Sequence, residues 1–93
     1  MAEVGEGRAS PAALPAWRLI TRLDCPVCES FAAALVNWED GRGRFQLEVV
    51  NVDSSSTLVE RYGMRVPLLL AGEREICVLR FRPTLAADAL AAP

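Results

Sequence analysis

A chain of 93 residues has room for one domain. At 52% hydrophobic and 24% charged it holds enough apolar side chains for a single core. A net charge of -2 excludes a nucleic-acid binder that works by basic surplus, and the longest apolar runs are too short to span a membrane.

Residues 1 to about 15 are rich in Ala, Gly, Glu and Pro without a period. They read as a flexible tail punctuated by Pro11 and Pro15, leaving a folded domain over 16–93. The stretch lacks a basic region followed by an apolar one, so it does not read as a signal peptide. Glu3 and Glu6 run against an organelle transit peptide.

The first strand is predicted from Trp17 to Leu23. Pro26 suits the first position of a helix, because its fixed φ fits the turn and its missing N–H would have had no partner. Cys25 then becomes the N-cap and Cys28 falls in the first turn. Val27, Phe31, Ala34, Leu35 and Trp38 recur at helical spacing and predict a buried stripe. Gly41-Arg42-Gly43 is expected to end this helix.

Phe45 to Val52 reads as a second strand, alternating at first and then β-branched, as where both faces are covered. Asp53 to Thr57 is a cluster of helix-capping residues, and Thr57 with Glu60 has capping-box spacing. A short helix should turn Leu58, Val59 and Tyr62 inward and stop at Gly63. Met64 to Leu70 follows as a strand opened by Pro67, which need not donate to a ladder there. Ala71 to Arg74 is a turn, and Glu75 to Phe81 completes a hairpin. Pro83 starts a last helix with Leu85, Ala86, Ala89 and Leu90 on one face. The order is β-α-β-α-β-β-α, and its first two strands should be parallel with a right-handed crossover.

Three cysteines and no histidine narrow the chemistry. A small secreted domain stapled by disulfides has a larger and even number. The absence of histidine removes Ser–His and Cys–His catalysis and His-ligated metals. A reducing cytosol is the expected compartment, where paired cysteines are catalytic, metal-binding or redox-sensing. Cys25-Pro26-Val27-Cys28 lies at a strand-to-helix junction in a βαβ-like pattern, the placement of a redox pair. Free N–H groups at a helix start stabilise a thiolate, which makes Cys25 the expected nucleophile and Cys28 the resolving thiol. Arg22 would act in the same direction and Asp24 against it.

Arg22, the C-x-x-C, Val52-Asp53, Tyr62-Gly63 and Val66-Pro67 resemble the glutaredoxin branch of the thioredoxin fold over about residues 17–91. Arg80-Phe81-Arg82-Pro83 is most similar to the small bacterial glutaredoxin-like proteins. The resemblance implies an α/β fold with a four-stranded mixed sheet in the order 2-1-3-4 and helices on both faces. It also implies a cis Val66-Pro67 bond facing Cys25, with a backbone that presents itself to substrate. Such a bond is accessible to an X–Pro pair at small energetic cost.

Substrate contacts are expected from Arg22, Pro26, Val27, Arg65, Val66 and Pro67. Three departures weaken the case for glutathione. Val27 replaces the usual tyrosine, Arg65 replaces a threonine, and the Gly-Gly with following acids is absent after the fourth strand. If glutathione does bind, Arg80-Phe81-Arg82 is the segment left to hold it.

The implied activity is thiol–disulfide exchange without a resident cofactor or metal, the pair itself being the redox group. The expected partners are a disulfide-bearing protein or small thiol, and a reductase, with glutathione or another low-molecular-weight thiol as reductant. The chain is expected to act as a cytoplasmic monomer, away from membranes and nucleic acids. Two alternatives stay open: a metal or iron–sulfur module that uses the pair between two chains, and a redox-inactive scaffold. A zinc site within one chain would need four ligands, and Cys77 is the one cysteine left. Its alternation within Ile76-Cys77-Val78-Leu79 reads better as a small buried apolar residue. Arg65 reads equally as a solvated loop charge or as a group that meets an acidic substrate.

Overall fold

The computed structural model describes residues 14–91, so the tail expected over residues 1–15 lies almost wholly outside the described residues. Its elements are β1 (Ala16–Thr21), α1 (Pro26–Val36), β2 (Gln46–Asn51), α2 (Ser56–Tyr62), β3 (Leu68–Ala71), β4 (Arg74–Val78) and α3 (Pro83–Ala91). Short 3-10 turns follow α1 at Glu39–Gly41 and β2 at Val52–Ser54.

The strands form one mixed sheet in the order β2-β1-β3-β4. β1 and β2 are parallel, in register from Ala16 opposite Gln46 to Thr21 opposite Asn51. β3 runs antiparallel to both β1 and β4. Ile20 pairs with Leu68 and Leu68 with Val78, so the chain leaves β1, enters β3 and leaves β4 at one end of the sheet. That end carries the C-x-x-C.

Side chains alternate across a strand, so each central strand feeds two cores. Trp17, Leu19, Leu69 and Cys77 join Phe31 and Leu35 of α1 and Ala86 and Ala89 of α3 on one face. Ile20, Leu68 and Leu70 join Val52 and Tyr62 on the other, beneath α2. Being covered on both sides is why Leu68-Leu69-Leu70 is unbroken apolar sequence. Truncating Phe31 to Ala would remove a buried ring, at a cost of about 3–5 kcal/mol.

Several sequence expectations are corrected. β1 ends at Thr21 rather than Leu23, because Asp24 takes a left-handed backbone (φ 55°) that turns the chain into α1. The buried stripe of α1 is Cys28, Phe31 and Leu35; Val27 is 56% exposed and Ala34 is also exposed. α1 stops at Val36, with Asn37 as C-cap, well before Gly41. Trp38 therefore lies beyond the helix, yet it packs on Phe45 and Phe81 with ring centroids 6.3 and 5.6 Å apart.

β2 is an edge strand rather than one covered on both faces, and Val49 is 60% exposed. Its β-branched residues answer to strand propensity here, not to burial. Within the expected capping cluster it is Ser55 that caps α2, its hydroxyl accepting from the Leu58 N–H at 3.0 Å. Val59 and Leu85, both expected inward, are exposed. β3 begins at Leu68, so Met64 to Pro67, predicted as the start of that strand, form a loop before it. β4 ends at Val78, because Leu79 takes a left-handed backbone (φ 69°) and turns away from the sheet.

Candidate active site

The site grows from the turn between β1 and α1. Asp24 tolerates its left-handed conformation better than most residues. Cys25 follows with an extended backbone (φ -123°, ψ 99°) and Pro26 takes the first helical position. This is N-cap geometry, with sulfur in place of the usual oxygen: the Cys28 N–H donates to Cys25 Sγ at 3.2 Å. Cys25 and Cys28 are joined as a disulfide, with Cα atoms 5.2 Å apart. Cys25 is half-buried, whereas Cys28 is only 2% exposed. The expected N-cap and first-turn placements of the two thiols both hold.

Val66–Pro67 is a cis peptide at the entrance to β3, on the same end of the sheet. Pro67 is buried and Val66 half-buried. The Pro67 carbonyl accepts from the Leu79 N–H at 2.7 Å, which ties this loop to the segment leaving β4.

The two arginines expected to meet substrate are both engaged by carboxylates. Arg22 and Asp53 each stand just past the last paired residues of β1 and β2, and this register brings them together. Arg22 Nε donates to Asp53 Oδ2 at 3.0 Å, and its two terminal nitrogens donate to Asp53 Oδ1 at 3.3 Å and to the Gly63 carbonyl at 3.2 Å. The hydrogen bond to Asp53, with that carboxylate's charge, holds the guanidinium still more firmly protonated against a smaller opposing effect of desolvation. Arg65 pairs with Glu75 of β4.

A cleft of about 360 Å³ opens beside Val27, which stands between the two cysteines. Val27, Ser30, Phe31 and Ala34 line one wall, following the i, i+3, i+4, i+7 row of α1. Leu79, Arg80 and Phe81 line the other. Phe81 meets Phe31 and Trp38 edge-on, at centroid distances of 5.8 and 5.6 Å, so that wall is seated on the aromatic core. A second, smaller depression is lined by Leu23, Asp24, Cys28 and Glu29 among others.

Cys77 is 1% exposed on β4. Its sulfur accepts from the Arg82 N–H at 3.4 Å and donates to the Arg82 carbonyl at 3.7 Å. Burial pushes its thiol pKa up, with the hydrogen bond and charge of Arg82 pulling less strongly the other way. The reading of Cys77 as buried packing agrees with this placement, and the tether to Arg82 is an addition. Asp53, Gly63, Ser30 and Leu79 lie outside the set of site residues that the sequence predicts. Asp53 and Gly63 belong to motifs that carried the resemblance, whereas Ser30 and Leu79 carry no sequence signal of their own.

The mixed sheet, the C-x-x-C at the start of α1 and the cis-proline loop together define an α/β protein of the thioredoxin-like fold, in its glutaredoxin-type form. The chain belongs to the family described as glutaredoxin-like domain (DUF836), whose model matches residues 18–91. It is similar to a crystal structure of a structural-genomics target protein, XcR50, from X. campestris. The two share 32% identity over 83% of this chain and 99% of that one, with a TM-score of 0.65. No curated protein matches the chain.

Proposed function

We propose that the protein is a thiol–disulfide oxidoreductase that works through a dithiol cycle. The observation that carries the reading is the placement of Cys25 as a half-buried N-cap whose sulfur receives an N–H, with buried Cys28 one turn inward. Thiol–disulfide exchange needs a stabilised thiolate, an accessible sulfur and a second thiol to release the product.

In the reduced enzyme the Cys25 thiolate attacks one sulfur of a substrate disulfide. A Cys25–substrate disulfide forms, and the other substrate sulfur leaves as a thiolate that takes up a proton. Cys28 loses its proton and attacks Cys25 Sγ. The Cys25–Cys28 bond forms and the second substrate thiol is released. Two electrons have passed from the pair to the substrate. A dithiol reductase or a low-molecular-weight thiol returns them in the reverse exchange.

Val66 and Pro67 present backbone to the substrate, and Pro26 and Val27 form the surface around the attacking sulfur. Arg22 and Arg65 act through their carboxylate partners, fixing the loops at the rim. Glutathione is a weak reductant in this reading, because the elements that hold its γ-glutamyl end are missing. A reducing compartment such as the cytosol suits the cycle, and among the described residues no helix is long and apolar enough to cross a membrane.

Acceleration of hydroxyethyl disulfide reduction by dithiothreitol, measured above the uncatalysed exchange, tests the proposal. Wild type should turn over and Cys25→Ser should not. An inactive wild type that purifies anaerobically with iron or zinc would support the cluster-bridging alternative.

A further inference from the structure

Charge is unevenly arranged around the disulfide. Arg22 is held by Asp53 and Arg65 by Glu75. Arg80 is exposed and, among the described residues, has no carboxylate within ion-pair distance. It stands on the wall of the larger cleft, which is otherwise mostly apolar. The smaller depression carries Asp24 and Glu29 together with Arg22, whose charge Asp53 offsets, so that side of the pair is acidic on balance. A negatively charged segment is therefore repelled from one side of the disulfide and attracted to the other.

The apolar surface at this end is larger than a small thiol needs. Leu23, Val27, Met64 and Leu79 are all exposed, on segments at the end of the sheet that carries the pair. Exposed apolar groups clustered at a reactive centre mark contact with a macromolecule. The cleft beside them runs two turns along α1, which suits a side chain from an extended segment. Its far wall is held by the contacts of the Phe81 ring with Phe31 and Trp38 and by the Leu79–Pro67 hydrogen bond, so little ordering is needed on binding.

We propose that this cleft docks a protein disulfide substrate through an apolar side chain followed by a carboxylate, both close to the substrate's reactive cysteine. The apolar side chain enters between Ala34 and Phe81, and the carboxylate meets Arg80. Binding this way also fixes which substrate sulfur faces Cys25, because the acidic lip of Asp24 and Glu29 disfavours the reversed pose. The inference rests on the oxidoreductase reading for its purpose, but its test does not need turnover.

The test is an NMR titration of the oxidised full-length chain with short peptides that lack cysteine. One carries Leu-Glu, a second Leu-Gln and a third Ser-Glu. The Leu-Glu peptide should shift the amides of Val27, Ser30, Ala34 and Arg80 in a saturable way. The Leu-Gln peptide should bind about threefold more weakly, the scale of an exposed ion pair. The Ser-Glu peptide should bind more weakly still, having lost its apolar anchor.

In Arg80→Gln, the Leu-Glu and Leu-Gln peptides should become equal. Ala34→Glu, an exposed helical position that tolerates glutamate, should abolish the shifts by filling the cleft and adding a like charge. Equal binding of all three peptides, a preference that survives Arg80→Gln, or saturable shifts confined to other surfaces would overturn the proposal. So would shifts at these amides on raising protein concentration alone, which would assign the cleft to a second copy. Saturation by glutathione disulfide but not by the peptides would assign it to a small thiol and overturn the proposal equally. Peptide binding by a chain that reduces no disulfide would sink the catalytic reading and leave this one standing.

Discussion

The backbone N–H of Cys28 points at the sulfur of Cys25, 3.2 Å away. A helix leaves its first N–H groups without intrahelical partners, and here one of them is spent on a sulfur. In the proposed cycle the same donor would face the Cys25 thiolate of the reduced pair, and charge-assisted hydrogen bonds of that kind are the stronger ones. The proposed division of roles between the two thiols rests on this geometry together with their burial.

Cys25 should therefore be the attacking thiol. Alkylation of the reduced protein at limiting reagent, read by mass spectrometry, should label Cys25 first. Cys25→Ser should lose at least about a thousandfold in rate, since nothing else supplies the nucleophile. Cys28→Ser should accumulate mixed disulfides with its substrates. Preferential labelling of Cys28 would reverse the assignment.

Cys77 should matter for stability and not for exchange. Cys77→Ala leaves the Arg82 N–H without its sulfur partner and opens a small gap, at a cost of about 1–3 kcal/mol in urea unfolding. Turnover should persist. Because the folded thiol has a raised pKa, its contribution is complete below the unfolded thiol's pKa of about 8.5 and is lost as pH rises through the folded value. The gap in Tm between wild type and Cys77→Ala should narrow at alkaline pH. A gap that widens there, or exchange that disappears in a folded variant, would contradict this role.

The Arg22–Asp53 fork should act on loop order more than on global stability. Both side chains are substantially exposed, and such pairs add little to unfolding free energy. Their geometric effect is to hold the end of α2, through the Gly63 carbonyl, beside the end of β1. Asp53→Asn should leave Tm nearly unchanged while amide hydrogen exchange from Gly63 to Val66 accelerates several-fold. Unchanged exchange in that loop would show that the fork does not order it.

Gly41 is buried, and a Cβ there would overlap the six-membered ring of Trp38. Gly41→Ala should push Trp38 off Phe45 and Phe81 and destabilise the protein by about 1–3 kcal/mol, as overpacking does. Tryptophan fluorescence should shift to the red with the ring's release. A variant as stable as wild type with unchanged fluorescence would mean that the turn at Glu39–Gly41 yields freely.

Much of this fold was legible in the chain because the decisive signals are local. Pro26 and the two cysteines mark the start of α1, and Pro83 marks the start of α3. The unbroken Leu68-Leu69-Leu70 marks a strand buried on two faces. The resemblance added the strand order and the cis bond at Val66-Pro67, which hydrophobic spacing alone does not convey.

The features that the sequence does not convey depend on tertiary position. Val49 and Val50 look alike in sequence, and only the edge position of β2 leaves the first exposed. Val27 falls on a helical repeat but sits at the open end of α1, where the sheet no longer covers it. The partners of Arg22 and Arg65 are set by strand register and loop closure, as is the meeting of Ala34 with Phe81 across the cleft. Leu79 gave no warning, because a leucine seldom takes φ > 0 and nothing local demanded it.

The central claim is that Cys25 and Cys28 form a redox couple poised for exchange rather than a structural staple. The direct measurement is the reduction potential of the pair, obtained by equilibration with thiol–disulfide buffers and quenching of the free thiols. The expected result is reversible titration between about -200 and -270 mV, the range from glutaredoxins to thioredoxin. A value below about -300 mV, typical of structural disulfides, would contradict the account.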